Sequence, residues 1–131
     1  MNKNTMDKLL DYLQTTVYYH ESDLILLLSN SKIMITEKHI ANIKYTTFNI
    51  LKIFETYGYI FSDDDYLMLV KKCGYFIQWI PENKKTREMC EIAHASTTYS
   101  MFQYIPKHLR TLEMLEIRPI YLNKSYQFIK K

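Results

Sequence analysis

Cys90 and His94 stand four residues apart, a spacing that puts two metal-ligating side chains on one face of a helix. Cys73 and His108 lie in the neighbouring stretches and would complete a set of four. A structural zinc site usually supplies its ligands from a CxxC or HxxxH knuckle, and neither motif is present. Cys90 reads better as a small buried hydrophobe. Asp63, Asp64 and Asp65 form a carboxylate run that could attract a divalent cation, but the glycine and terminal glutamate of an EF-hand loop are missing. Three acids at the start of a helix are more simply placed there to meet the positive end of its dipole. The histidines, His20, His39, His94 and His108, have no nucleophile at a catalytic spacing, and no glycine-built oxyanion loop is visible. The expectation is a chain that is not an enzyme, with no cofactor and no metal.

Two groups suit contact better than catalysis. Lys84, Lys85, Arg87, Lys107 and Arg110 fall at matching corners of successive segments and would line one edge as a basic ridge. Tyr57, Tyr59, Tyr99 and Tyr121 fall near turns, where tyrosine can supply interface energy. Trp79, Tyr104 and Phe128 are in register and could stack on bases, but helical spacing next to isoleucine assigns them to a core.

Composition limits the fold that must position these residues. The 131 residues are 47% hydrophobic and 15% aromatic, with twelve tyrosines and only two glycines. So few glycines disfavour phosphate-binding loops and tight hairpins, and favour helices joined by polar turns. Residues 1–81 carry a net charge of −1 and residues 82–131 a net charge of +4. The second half is thus weakly basic, not a nucleic-acid-binding arm. Two cysteines do not make a disulfide scaffold, and the N-terminus lacks the apolar stretch of a signal peptide. The longest apolar run, Leu24 to Leu28, is too short to span a bilayer. A soluble intracellular protein that is not secreted is expected.

The chain repeats itself. "FIQWIPENKKT" at 76–86 returns as "FQYIPKHLRT" at 102–111. Segments opening on Thr36, Ser62, Thr86 and Thr111 start 26, 24 and 25 residues apart. Gln78, Gln103 and Gln127 match, as do Ile80, Ile105 and Ile129. Each opening hydroxyl is a predicted helix N-cap, and acids follow it in the first turn. Apolar stripes come next: Ile40 and Ile43; Tyr66, Leu69 and Val70; Met89, Ile92 and Ala93; Met114, Leu115 and Ile117. A turn leads to a second short helix of two to three turns, which Pro81 and Pro106 close in two of the units. One such pair cannot bury its own apolar face, whereas stacked neighbours can. The expected fold is all-α, a single domain over 1–131: an α-solenoid of about five short helix-turn-helix units with ankyrin-like stacking in a right-handed stack. Its repeats are 36–61, 62–85 and 86–110, between capping units 1–35 and 111–131. In the first unit Met6, Leu9, Leu10, Leu13 and Val17 share one helical face, and residues 22–30 read as a second helix. A β-hairpin around Asn30-Ser31 is the alternative.

"GYFIQWIPENKKTREMCEIAH", continued by "SMFQYIPKHLRTLEM", resembles a short helical repeat found in tandem in giant-virus proteins and in some intracellular bacteria, a domain of unknown function. The match runs from about Cys73 to Glu116. "FNILKIFETYGYIF" is similar to the second ankyrin helix and its following loop, although the TPLHxA signature is missing. The resemblance implies a helical array of giant-virus origin, placed in the host cytoplasm, and implies no activity. The functional expectation is a protein-interaction module that binds a host or viral protein through its repeat surface. The alternative is a nucleic-acid-associated protein using the basic edge. Exposed ends of a short array also suggest a homodimer; a membrane partner is not expected.

Overall fold

Most of the α-helices among the described residues begin where a polar side chain takes up backbone N–H groups that a first turn leaves unpaired. Asp7 caps α1 (Lys8–Thr15), its Oδ1 accepting from the Leu10 N–H at 2.9 Å. Asn49 caps α4 (Ile50–Thr56) through Lys52 N–H at 3.1 Å. Ser62 and Asp65 form a reciprocal box at the start of α5 (Asp63–Lys72): Asp65 N–H donates to Ser62 Oγ and Ser62 N–H to Asp65 Oδ2, each at 3.0 Å. Thr86 caps α6 (Arg87–Ser96) and Thr111 caps α7 (Leu112–Leu115). Between these lie α2 (Glu21–Asn30) and α3 (Glu37–Ala41). The computed structural model describes residues 7–30, 32–97 and 101–115, and among them every regular element is helical. The hairpin alternative around Asn30 is replaced by α2, whose Leu24 and Leu28 face inward. Among the described residues no helix is long and apolar enough to cross a membrane.

The chain divides into two compact units, Met1–Tyr66 and Leu67–Lys131, and the division falls within α5. In the first, α1 packs on α3, and Leu9, Leu13, Ile40, Ile50 and Phe54 are fully buried. Val17 departs from the expected α1 face. The helix ends at Thr15, and Val17 lies beyond it, 73% exposed. Met6 lies outside the described residues. In the second unit α6 packs on a 3-10 helix, Gly74–Trp79, burying Phe76, Ile77, Cys90 and Ala93.

That 3-10 segment corrects the expectation of a second α-helix in each unit. The second helices of the first two units, α2 and α4, are α-helical, whereas their counterparts Gly74–Trp79 and Phe102–Tyr104 are 3-10 turns. Asn49 supplies α4 with a side-chain cap, whereas Cys73 and Met101, at the same place, supply none. Aromatic and β-branched residues without a cap, and with a proline close behind, do not sustain an α-helix. The prolines act as expected. Ile80 and Ile105 are extended, at ψ 135° and 127°, just before Pro81 and Pro106. Each proline then starts another 3-10 turn, Glu82–Lys84 and Lys107–Leu109, with φ,ψ of −57°,144° and −55°,142°. The recurring phrase therefore has a recurring backbone. The register partners Gln127, Phe128 and Ile129, and with them most of the expected unit 111–131, lie outside the described residues.

The two glycines meet different demands. Gly58 has φ +105° and ends α4: Tyr59 N–H bonds Phe54 O and Gly58 N–H bonds Glu55 O, each at 3.0 Å, in a Schellman arrangement. Gly74 sits against α6, where an added Cβ would meet Ser96 Oγ at 2.3 Å, Thr97 Cγ2 at 2.9 Å and the Ala93 Cα at 3.1 Å. Thr97 is held by its own bond to Ala93 O, so that wall does not yield freely. Gly74→Ala is expected to destabilise by about 1–3 kcal/mol through overpacking, and Gly58→Ala by about 1–2 kcal/mol through backbone strain alone. Urea melts of both variants check this. A Gly74→Ala variant as stable as the parent would show that α6 can move away.

Candidate functional site

The five cations expected to form a ridge divide into two sets. Lys84, Arg87 and Lys107 are exposed. Lys85 is not: its side chain is 4% exposed, its ammonium donates to Tyr104 O, and Glu82 Oε1 lies 3.6 Å away. Burial pulls its pKa below the ordinary lysine value, with Glu82 acting against that shift. Arg110, 25 residues on, is half-buried with its guanidinium 4.3 Å from the Phe102 ring centre, and its Nε donates to Ile105 O at 2.8 Å. Lys85 therefore does not belong to an exposed ridge. It and Arg110 satisfy carbonyls beside Pro106 that the broken helix leaves unpaired.

The tyrosines divide in the same way. Tyr57 is half-buried at the C-terminus of α4. Tyr59 OH donates to Asp65 Oδ2 at 2.6 Å, and burial together with that carboxylate pushes its pKa well above the ordinary tyrosine value. Tyr59 also packs edge-on against Phe61, which stacks on Tyr66. Tyr99 and Tyr121 lie outside the described residues. Trp79 and Tyr104, expected in a core, are half-buried.

Among the described residues no three His, Cys, Asp or Glu side chains converge on a point where a metal ion could sit. Cys90 is buried, and burial raises its thiol pKa; Cys73 and His94 are half-buried and His108 is exposed. Asp65 is turned inward to the capping box and to Tyr59, while Asp63 and Asp64 stay at the surface.

Sequence reasoning missed a cluster of Asp7, Thr36 and His39. His39 is 3% exposed. Its Nε2 lies 2.7 Å from Asp7 Oδ2 and 3.0 Å from Oδ1. Its Nδ1 accepts the Thr36 N–H at 2.9 Å, with Thr36 Oγ1 at 3.2 Å. Because Nδ1 accepts, the ring proton sits on Nε2 and is donated to Asp7. One imidazole thus joins the N-termini of α1 and α3. The atoms are those of a nucleophile–base–acid set, but the lone pair a general base would use is already held by a backbone N–H. The arrangement works as a tie between two caps. A signal was present: His39 is three residues after the predicted cap Thr36, where a capping box usually has Glu or Gln. Asp7, 32 residues earlier, could not have been paired with it from spacing.

A second feature of this unit is an open groove of about 520 Å³ between α1 and α2, lined by Asp11 and Tyr12 from one helix and Asp23, Leu26 and Leu27 from the other. Leu26 is 59% exposed. Comparison of the chain with known protein families, curated proteins and solved structures returns no match.

Asp7 gives a pH test. Burial raises its pKa, but the Leu10 N–H, the His39 N–H and nearby positive charge outweigh that, and the net shift is downward. A carboxylate depressed in the folded state adds stability above its unfolded pKa of about 3.9, and that contribution is lost as pH falls through the lower folded value. Asp7→Asn, which keeps an N-cap, is expected to lower stability by about 0.5–1 kcal/mol at pH 7, the side chain being partly solvated. It should also flatten the loss of stability below about pH 4. Denaturant melts at pH 7 and pH 3 measure both; equal acid sensitivity in the variant would mean that Asp7 is not depressed.

Proposed function

We propose that this chain is a non-enzymatic protein-interaction module, an α-solenoid of about five short helix-turn-helix units of the giant-virus type its phrases resemble, acting inside a host cell. The repeated backbone at Pro81 and Pro106 supports the repeat reading. The observation that carries the functional reading is where apolar surface lies. Of the eight large hydrophobic side chains exposed among the described residues, five fall between 17 and 34: Val17, Tyr18, Ile25, Leu26 and Met34. α2 is apolar from Leu24 to Leu28, so burying Leu24 and Leu28 leaves Ile25 and Leu26 outward. Large apolar side chains left exposed beyond the usual scatter mark interaction surfaces. The nucleic-acid reading has less support, since Lys85 and Arg110 are already bonded to backbone carbonyls.

Affinity capture from host-cell lysate with the tagged chain, with and without nuclease, tests the proposal. The expected result is a discrete protein partner that survives nuclease. A Tyr18→Asp, Leu26→Asp, Met34→Asp variant should recover it about tenfold less well, since a charge placed at an interface core commonly removes one to a few kcal/mol. Capture of ribosomal or chromatin proteins only, lost with nuclease and steeply salt-dependent, would overturn the module reading in favour of the basic edge.

A further inference from the structure

We propose that the groove between α1 and α2 is the docking site for a short, basic, amphipathic helix of a partner protein. The inference rests on the interaction-module reading and names the occupant of one surface.

The groove is formed by two rows of side chains at helical spacing. Asp11, Tyr12 and Thr15 come from α1, and Asp23, Leu26 and Leu27 from α2. Rows three and four residues apart are the ridges between which a third helix packs. α1 has eight residues and α2 ten, so the channel is about 12–15 Å long at 1.5 Å per residue. That length suits two to three turns of an incoming helix. Leu26, 59% exposed, provides an apolar contact on the groove wall, as in other helix-in-groove docking.

Charge identifies the occupant. The charged side chains lining the groove are Asp11, Asp23 and Lys8, a net charge of −1, and the Lys44 ammonium is held at one end, 2.7 Å from Thr16 O. Asp11 and Asp23 are exposed, and neither carboxylate has an ion-pair partner among the described residues. Both line the groove beside Leu26, on opposite helices. Lys8 lines it too and offsets one of these charges. A helix with leucine-type side chains on one face and lysine or arginine along its flanks would cover Leu26 and pair both carboxylates. An acidic helix would set like charges against them.

The test uses the full chain, ¹⁵N-labelled, and a capped peptide of about 14 residues built from leucine and lysine at heptad spacing, long enough to exceed the groove. Its counterpart carries glutamate for every lysine. The expected result is saturable shifts of amides in residues 8–15 and 21–30, none with the glutamate peptide, and affinity about tenfold weaker for Asp11→Asn/Asp23→Asn, two partly exposed charge pairs being removed. Both aspartates are at the surface, so the spectrum of the free variant should match the parent and show that it folds. Leu26→Ser, at an exposed position, should weaken binding without changing the charge. No binding, shifts spread over the whole chain, or equal affinity in the double variant would overturn the proposal. Concentration-dependent shifts of the same amides without peptide would identify a second copy as the occupant and overturn it too. If the peptide fails while lysate capture still yields a nuclease-resistant partner, the module stands and this groove is not its site.

Discussion

Short helices leave most of their backbone polar groups at their ends, and the rest of this structure follows from that constraint. Every α-helix has four N–H and four C=O groups without an internal partner. In α3, five residues long, those groups are nearly the whole element. Leaving one buried and unpaired costs about 1–3 kcal/mol. The chain answers with side chains. Asp7, Asn49, Ser62, Thr86 and Thr111 take up N–H groups. Lys44 donates to Thr16 O at 2.7 Å and Tyr19 OH to Leu13 O at 2.7 Å, closing the end of α1. Lys85 and Arg110 do the same beside Pro106.

This explains why several residues that could do chemistry are engaged in holding the backbone. His39 joins two caps, Asp65 serves both Ser62 and Tyr59, and Lys85 reaches a carbonyl from a buried position. It also gives the tyrosines a physical role. With two glycines in 131 residues, few turns can use a left-handed residue, and some are bridged by long side chains ending in a hydroxyl. Tyr12 OH accepts the His20 N–H at 3.0 Å, and Tyr19 OH accepts the Lys44 N–H at 3.2 Å. Among the described residues, five of the eight exposed large hydrophobic side chains fall between residues 17 and 34.

Much of the local structure was legible because its causes are local. Thr36, Ser62, Thr86 and Thr111 do precede helices, and Pro81 and Pro106 do force extended residues before them. Periodicity found Leu9 and Leu13, and Leu69 and Val70, as buried rows. Val17 was misread because the period continued past the residue where the helix stopped. The second helices at 22–30 and 50–56 were read correctly, but those at 74–79 and 102–104 were not, because an apolar row does not distinguish α from 3-10 when the segment is six residues or fewer.

By itself the sequence determined the all-helical class, the helix starts after Thr36, Ser62, Thr86 and Thr111 and the proline stops, since each depends on bonds within about four residues and on the steric limits of proline. Only tertiary structure decided which charges remain at the surface. Whether Lys85 is a ligand-facing cation or a buried donor depends on Tyr104, 19 residues away, coming within reach. Whether His39 is available depends on Asp7, 32 residues earlier in the chain. A side chain's type records what it can bond. Its availability depends on which distant backbone group, left unpaired by a helix end, folding brings beside it.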